Sequence, residues 1–143
     1  MVLTKRPRTL RRHPGQIAFP GGMIESTDAN ALDAALREAR EEIGFRPIGD
    51  VSPVALTPVK TLTSGIVIHP FLIELGASPR LRADPNEVEE ILRVPTVALQ
   101  QPRARGSVAY PRRSGENIVA FRWNGEVIWG VTAATIDEVL QLY

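Results

Sequence analysis

Residues 37–44 read REAREEIG and place Glu38, Glu41 and Glu42 within one helical turn, with Arg37 beside them. At helical periodicity the three carboxylates fall inside an arc of roughly 100°, because positions i, i+3 and i+4 are neighbours on one face. Working outward, Leu32, Leu36, Ala39 and Ile43 recur at the same period and Gly44 supplies a stop, so the spacing predicts a helix from about Asn30 to Ile43. That apolar stripe lies roughly 140° around the helix from the carboxylates, which separates a core face from an acidic face. An acidic face often only meets water, helped here by an i,i+4 pair such as Arg37 with Glu41, worth about 0.2–0.5 kcal/mol. Two features argue against that here. Glu38 and Glu42 are like charges at i,i+4, and Glu41–Glu42 sit near the C-terminal end, where the helix dipole disfavours anions. A hard divalent cation such as Mg²⁺ binds carboxylate oxygens, offsets the repulsion, and commonly does so beside substrate phosphates.

Upstream, GQIAFPGG (residues 15–22) reads as a strand ending in a turn, and Gly21–Gly22 lets backbone come close to a ligand before the chain feeds the acidic helix. The chain opens with a short β-like piece, MVLTKR, followed by a basic loop to Pro14. A strand at the first residue has no preceding segment to pair with, so a missing N-terminal strand or a late start codon is expected. An edge left open in that way is paired by a partner chain, giving a homodimer, or stays exposed. Downstream, VSPVALT and GIVIHPFLIEL read as strands that Pro53, Pro58 and Pro70 push toward edges or bulges, and PNEVEEILRVP as a short helix or a turn leading into a strand. NIVAFRWNGEVIWG is a hairpin with Asn124–Gly125 as a type I′ turn, and TAATIDEVLQL is a closing amphipathic helix. QPRARGSVAYPRRSGEN, rich in Arg, Gly and Pro, reads as a surface loop over a site. The pattern is an α/β class, with a mixed sheet covered by helices on both faces.

At 143 residues, 43% of them hydrophobic and 23% charged, the chain fits one domain, residues 1–143, able to bury most of its apolar surface. Lys and Arg number 17 against 16 Asp and Glu, so bulk charge calls for neither a nucleic acid nor a membrane. The charges are nonetheless segregated: Lys5, Arg6, Arg8, Arg11 and Arg12 crowd the start, while 38–42 and 84–90 are acidic. The absence of cysteine excludes disulfide and thiol chemistry and suits a reducing cytoplasm. No apolar run is long enough to span a bilayer and no secretory h-region opens the chain.

GGMIESTDANALDAALREAREEIGF (residues 21–45) resembles the Nudix box, whose usual form is G-x5-E-x7-R-E-U-x-E-E-x-G-U with U a bulky aliphatic residue. Gly22, Arg37, Glu38, Ala39, Glu41, Glu42, Gly44 and Phe45 fill its places, with Ala39 small for U and Phe45 aromatic. Asp28 stands at the first Glu place with eight residues between it and Arg37, one more than usual, which leaves their pairing open. Val2 to Gly22 resembles the signature of coenzyme A diphosphatases within that family: Leu3, Thr4, Arg6, Arg11, Gly15, Phe19, Pro20, Gly21 and Gly22 agree, while Val2 and Pro7 depart. The extra box residue and IWGVTA at 128–133 are also usual in that subgroup.

The resemblance implies a Nudix-type α/β/α sandwich and metal-dependent hydrolysis of a nucleoside diphosphate linked to another group. For coenzyme A the products are 3′,5′-ADP and 4′-phosphopantetheine. Mg²⁺ or Mn²⁺ must neutralise the phosphate oxygens and lower the pKa of a bound water. Glu38 and Glu42 are the first candidate ligands, with the backbone of Gly22; Glu41 is a further ligand or the base that takes the water's proton, and Arg37 orients the carboxylates. Arg6, Arg11, Arg12, His13 and Gly21 are candidates for contact with a small-molecule phosphate substrate. Glu87, Glu89 and Glu90 add a ligand or base from a second segment or, more often for such a run, a solvated face. Tyr110 is a candidate for stacking on adenine, Trp123 and Trp129 for the core, and His69 for a core or edge histidine. Two rivals are a Nudix hydrolase of ADP-ribose or a nucleoside triphosphate, which has no use for the upstream motif, and a non-catalytic sensing or nucleic-acid-binding module using the basic arm. The latter can lose box glutamates, and all three are present here.

Overall fold

A computed structural model describes residues 1–47, 51–61, 64–110 and 115–143. The expected acidic helix, α1, runs Ala31–Ile43. Asn30 caps it: its backbone is extended and its side-chain oxygen accepts from the Asp33 N–H at 3.0 Å. At the far end Gly44 takes the left-handed conformation, φ 65°, and its N–H reaches the Arg40 carbonyl at 3.0 Å. A side chain there would be strained, so glycine ends the helix where the sequence placed its stop.

The opening piece forms β1 (Val2–Lys5), the central strand of a three-stranded antiparallel sheet with β2 (Ile17–Ala18) on one side and a later strand, Glu90–Arg93, on the other. Both edges of β1 are therefore hydrogen-bonded by segments that follow it in the chain. Alternation along β1 divides the interior into two layers. Leu3 and its cross-strand partner Leu92 face one cluster with Phe121, Ile128 and Ile136. Val2 and Ile91 face the other, with Leu36, Ala39 and Ile43 of α1.

Between these elements the chain makes two small ladders. β3 (Val54–Ala55) pairs with β6 (Phe71–Leu72), and β4 (Val59–Lys60) with β5 (Val67–Ile68). GIVIHPFLIEL is thus not one strand. It breaks at Pro70, which has no N–H for a ladder, while the Pro70 carbonyl accepts from Leu56 N–H at 3.0 Å. A turn closed by Glu87 and Val88 N–H groups on the Asp84 carbonyl leads into β7 (Glu90–Arg93), followed by a one-turn helix, α2 (Thr96–Leu99), that the sequence did not announce.

The second three-stranded sheet corrects one expectation. Arg105–Ala109, taken from its composition as surface loop, is strand β8, paired with β9 (Asn117–Trp123). Its burial alternates between exposed and half-buried, as an edge strand allows, so Arg, Gly and Ser suit it although they carry no hydrophobic alternation. The remainder of that stretch at 111–114 lies outside the described residues. β9 turns into β10 (Glu126–Trp129) through Asn124 and Gly125, at φ 49° and 81°, the two positive values of a type I′ turn. The closing helix α3 (Val131–Gln141) buries Thr132, Ala133, Thr135, Ile136 and Val139. The result is α/β: α1 packs on one face of the β2–β1–β7 sheet, and the β8–β10 sheet and α3 on the other. Among the described residues all strand pairs are antiparallel, and no helix is long and apolar enough to cross a membrane.

Phe121 and Val127 lie on the two strands of one hairpin, the first fully buried and the second 41% exposed. Phe121→Ala should cost about 3–5 kcal/mol of unfolding free energy by cavity formation, and Val127→Ala within about 0.5 kcal/mol. Urea denaturation checks the pair; equal losses would contradict the assigned core.

Candidate metal centre

Four segments meet at the C-terminal half of α1. Hydrogen bonds fix two of them. The last turn of α1 leaves carbonyls without helical partners; Asp84 N–H takes that of Glu42 and Arg82 N–H that of Ile43, each at 2.9 Å. Glu89 N–H then bonds the Lys5 carbonyl at 2.8 Å. The 82–89 segment is thereby stitched between helix end and β1, and Glu87 is carried to the acidic face. Glu38, Glu42 and Glu87 each offer a carboxylate oxygen within 4.8 Å of the others.

The Gly-Gly turn closes the cluster from the third side. The Gly21 N–H donates to Glu42 Oε2 at 3.1 Å. At Gly22 an added Cβ would lie 2.2 Å from Glu38 Oε1, so a side chain there would push the carboxylate out of this position. Gly21, a candidate for substrate contact, spends its N–H on a glutamate instead.

Glu42 is 4% exposed. Burial pushes its carboxyl up to about 7; the Gly21 N–H and the charge of Arg6 pull the other way, while Glu38 and Glu87 add to the rise. Arg6, the fourth segment's contribution, is half-buried and its Nε has no hydrogen-bond partner among the described residues.

Arg37 holds one of the three carboxylates, Glu38, together with Glu41 and the loop before the helix. Its Nε and Nη2 form paired bonds to Asp28 Oδ1 and Oδ2, both 3.0 Å; Nη2 also reaches the Met23 carbonyl at 2.9 Å. Nη1 donates to Glu38 Oε1 at 3.0 Å and Glu41 Oε2 at 3.1 Å. Asp28 pairs with Arg37 across the eight intervening residues, and a tight turn just before them holds Asp28 as well: Asp28 N–H bonds the Glu25 carbonyl and Glu25 N–H returns to Asp28 Oδ2. The Arg37 guanidinium, then the Glu25 N–H, hold the Asp28 carboxyl below its usual value, and Asp28 raises that of Arg37 further above its own.

The structure therefore brings Glu38 and Glu42 together as spacing indicated, adds Glu87, and sets Glu41 on Arg37 with its side chain 57% exposed, outside the three-carboxylate group. Arg11, Arg12 and His13 are exposed on the loop between β1 and β2. His69 is exposed at the β5–β6 break, Trp123 packs on the main core, and Trp129 is half-buried. A cleft of about 1540 Å³ starts at Gly21–Gly22 and runs past Leu32 and Leu36 of α1 toward Ile68 and Leu72. The donor set consists of hard carboxylate oxygens, one of them cradled by a glycine, and that chemistry fits Mg²⁺ or Mn²⁺ rather than a soft-ligand metal.

A family model of the NUDIX domain matches residues 1–113. The chain belongs to the Nudix family. Proteins named uncharacterized Nudix hydrolase NudL, from Salmonella paratyphi B, Salmonella newport and Salmonella enteritidis, are 34% identical to it over 140 residues, covering 97% of this chain and 72% of each relative. Nudix hydrolases cleave nucleoside diphosphate derivatives and generally need divalent cations, and the acidic cluster of α1 lies where the Nudix box falls in this chain.

Because the Glu42 carboxyl is raised, its contribution to stability in metal-free protein is full below about pH 4.5 and lost as pH rises through about 7. The melting temperature of wild type relative to Glu42→Gln should fall between pH 5 and pH 8 without metal, and Mg²⁺ should restore it more at pH 8 than at pH 5. A difference independent of pH would contradict the burial of this carboxylate among like charges.

Proposed function

We propose that this Nudix hydrolase is a coenzyme A diphosphatase, acting on coenzyme A or its derivatives with Mg²⁺ or Mn²⁺ to give 3′,5′-ADP and 4′-phosphopantetheine or its acyl form. The observation that carries the reading is the convergence of Glu38, Glu42 and Glu87 on the Gly21–Gly22 turn, next to the arginine-bearing loop whose sequence resembles the coenzyme A diphosphatase signature. Glu38 and Glu42, with Glu87 facing them and the Gly22 backbone adjacent, would hold the ion. A bound divalent cation supplies charge neutralisation at the diphosphate and a water of lowered pKa.

The chain's own groups do the rest. Water adds to one phosphorus, the anhydride P–O bond breaks, and the departing phosphate leaves with the electron pair. The proton lost by the water goes to a carboxylate. Glu41 is suited to accept it, since Arg37 fixes one oxygen while the exposed side chain leaves the other open. Arg37 is a positioning residue here: it holds Glu38 and Glu41 in register and ties the 23–28 loop over the helix. Arg6 approaches Glu42 with an Nε–H that has no partner among the described residues, and Arg11, Arg12 and His13, exposed on the loop, suit the 3′-phosphate that distinguishes coenzyme A from other ADP conjugates.

Product analysis of the purified protein with Mg²⁺ or Mn²⁺, against coenzyme A, ADP-ribose, NADH and dNTPs, tests the assignment. Coenzyme A should yield the two named products, and Glu38→Gln should lower turnover on the order of 10²-fold or more. Near wild-type turnover in that variant, or preference for ADP-ribose, would overturn the reading.

The 3′-phosphate is tested by comparing kcat/KM for coenzyme A and 3′-dephospho-coenzyme A in wild type, Arg11→Ala and Arg12→Ala. Recognition arginines lower the first value selectively, by roughly tenfold for each charge-assisted bond lost. Equal loss on both substrates would assign the arginines to the loop's own structure.

A further inference from the structure

Two buried polar atoms lack a hydrogen-bond partner among the described residues: Arg6 Nε, at the acidic cluster, and the hydroxyl of Tyr110. Tyr110 follows β8 and is 6% exposed, with its backbone N–H bonded to the Glu116 carbonyl at 2.8 Å. The side chain forms part of the wall of the same cleft that begins at Gly21–Gly22, in company with Phe19, Ile118 and Trp129. A phenylalanine would fill this place with the same ring and no polar atom. Burying a hydroxyl without a partner is a net cost to folding, and such groups call for an explanation in function or in a bound molecule. The wall around it is mainly apolar, and ligand clefts of that kind take their orientation and selectivity from a few well-placed polar groups.

We propose that Tyr110 is a specificity-determining residue whose hydroxyl hydrogen-bonds a polar atom of the substrate portion lying in this cleft beyond the diphosphate. The inference rests on the coenzyme A reading above and takes this cleft, which shares Gly21 and Gly22 with the metal centre, as the place of the substrate. The chemistry it would recognise is an amide or ring-nitrogen group set in an otherwise apolar or flat frame. In a coenzyme A type substrate either half carries one: the adenine ring on one side, the pantetheine amides on the other. Phe19 and Trp129 elsewhere on the wall of the cleft would contact the flat or apolar frame, while the hydroxyl reads the polar atom.

The test is Tyr110→Phe, which removes one oxygen and keeps the ring. Three readouts are taken: melting temperature without ligand, KM and kcat on the diphosphate substrate, and inhibition by each product half, 3′,5′-ADP and 4′-phosphopantetheine. With the hydroxyl unpartnered among the described residues, the variant should melt at the wild-type temperature or above it. KM should rise about three- to tenfold with kcat little changed, the mark of a contact made equally in ground and transition states. One product half should lose affinity by a similar factor, and which half does so identifies the group that is read. A lowered melting temperature with unchanged KM would overturn the proposal, since the hydroxyl would then hold the fold. Unchanged KM and unchanged inhibition by both halves would overturn it as well. If coenzyme A is not turned over by wild type, the coenzyme A reading fails; the KM comparison is then made on whichever substrate of the panel is cleaved, with that substrate's two products as inhibitors, and decides the role of Tyr110 by itself.

Discussion

Glu38, Glu42 and Glu87 turn carboxylate oxygens toward one another within 4.8 Å, and the surrounding structure is arranged to hold them there against their repulsion. Full like charges at about 4 Å repel by roughly 1 kcal/mol in water and about 4 kcal/mol near a protein surface. A cluster of this kind persists only if its backbone is fixed by other means or if positive charge is brought in. The fold does both. The 82–89 segment is tied to the carbonyls of Glu42 and Ile43 and to Lys5, the Gly21 N–H holds Glu42, and Arg37 draws on Glu38 from outside the cluster.

Arg37 makes the arrangement self-consistent. Its guanidinium spends paired donors on Asp28, another on the Met23 carbonyl, and the remainder on Glu38 and Glu41. One side chain thus fixes the loop between the Gly-Gly turn and α1 and orients two carboxylates of the helix. The turn can then lie so near Glu38 that a Cβ at Gly22 would displace its carboxylate. Sequence spacing, loop closure and carboxylate placement are one constraint here. The Asp28–Arg37 pair forms with eight residues between its members, and the Glu25–Asp28 turn holds the same carboxylate from the other side.

How far this was legible in the sequence depends on the range of the interactions. α1, its Asn30 and Gly44 ends and the Asn124–Gly125 hairpin follow from local rules and lie within a residue of where the spacing put them. The facing pair Glu38 and Glu42 follows from helical periodicity. Glu87 does not, because its place is set by hydrogen bonds from Asp84 and Glu89 to segments more than 40 residues away, and an acidic run by itself reads as a solvated face. Strand β8 was hidden for a related reason: an edge strand needs a neighbour more than it needs a hydrophobic pattern, and Arg105–Ala109 takes its order from β9. Tyr110 carried no local signal that its hydroxyl would be buried without a partner among the described residues.

The central claim is that the ion-binding carboxylates are Glu38, Glu42 and Glu87, with Glu41 held aside by Arg37. Calorimetric titration of Mn²⁺ into metal-free wild type, Glu87→Gln and Glu41→Gln in the absence of substrate tests it most directly. The account predicts that Glu87→Gln weakens Mn²⁺ binding about tenfold or more, while Glu41→Gln binds within about threefold of wild type. Weakened binding in Glu41→Gln together with wild-type affinity in Glu87→Gln would contradict it.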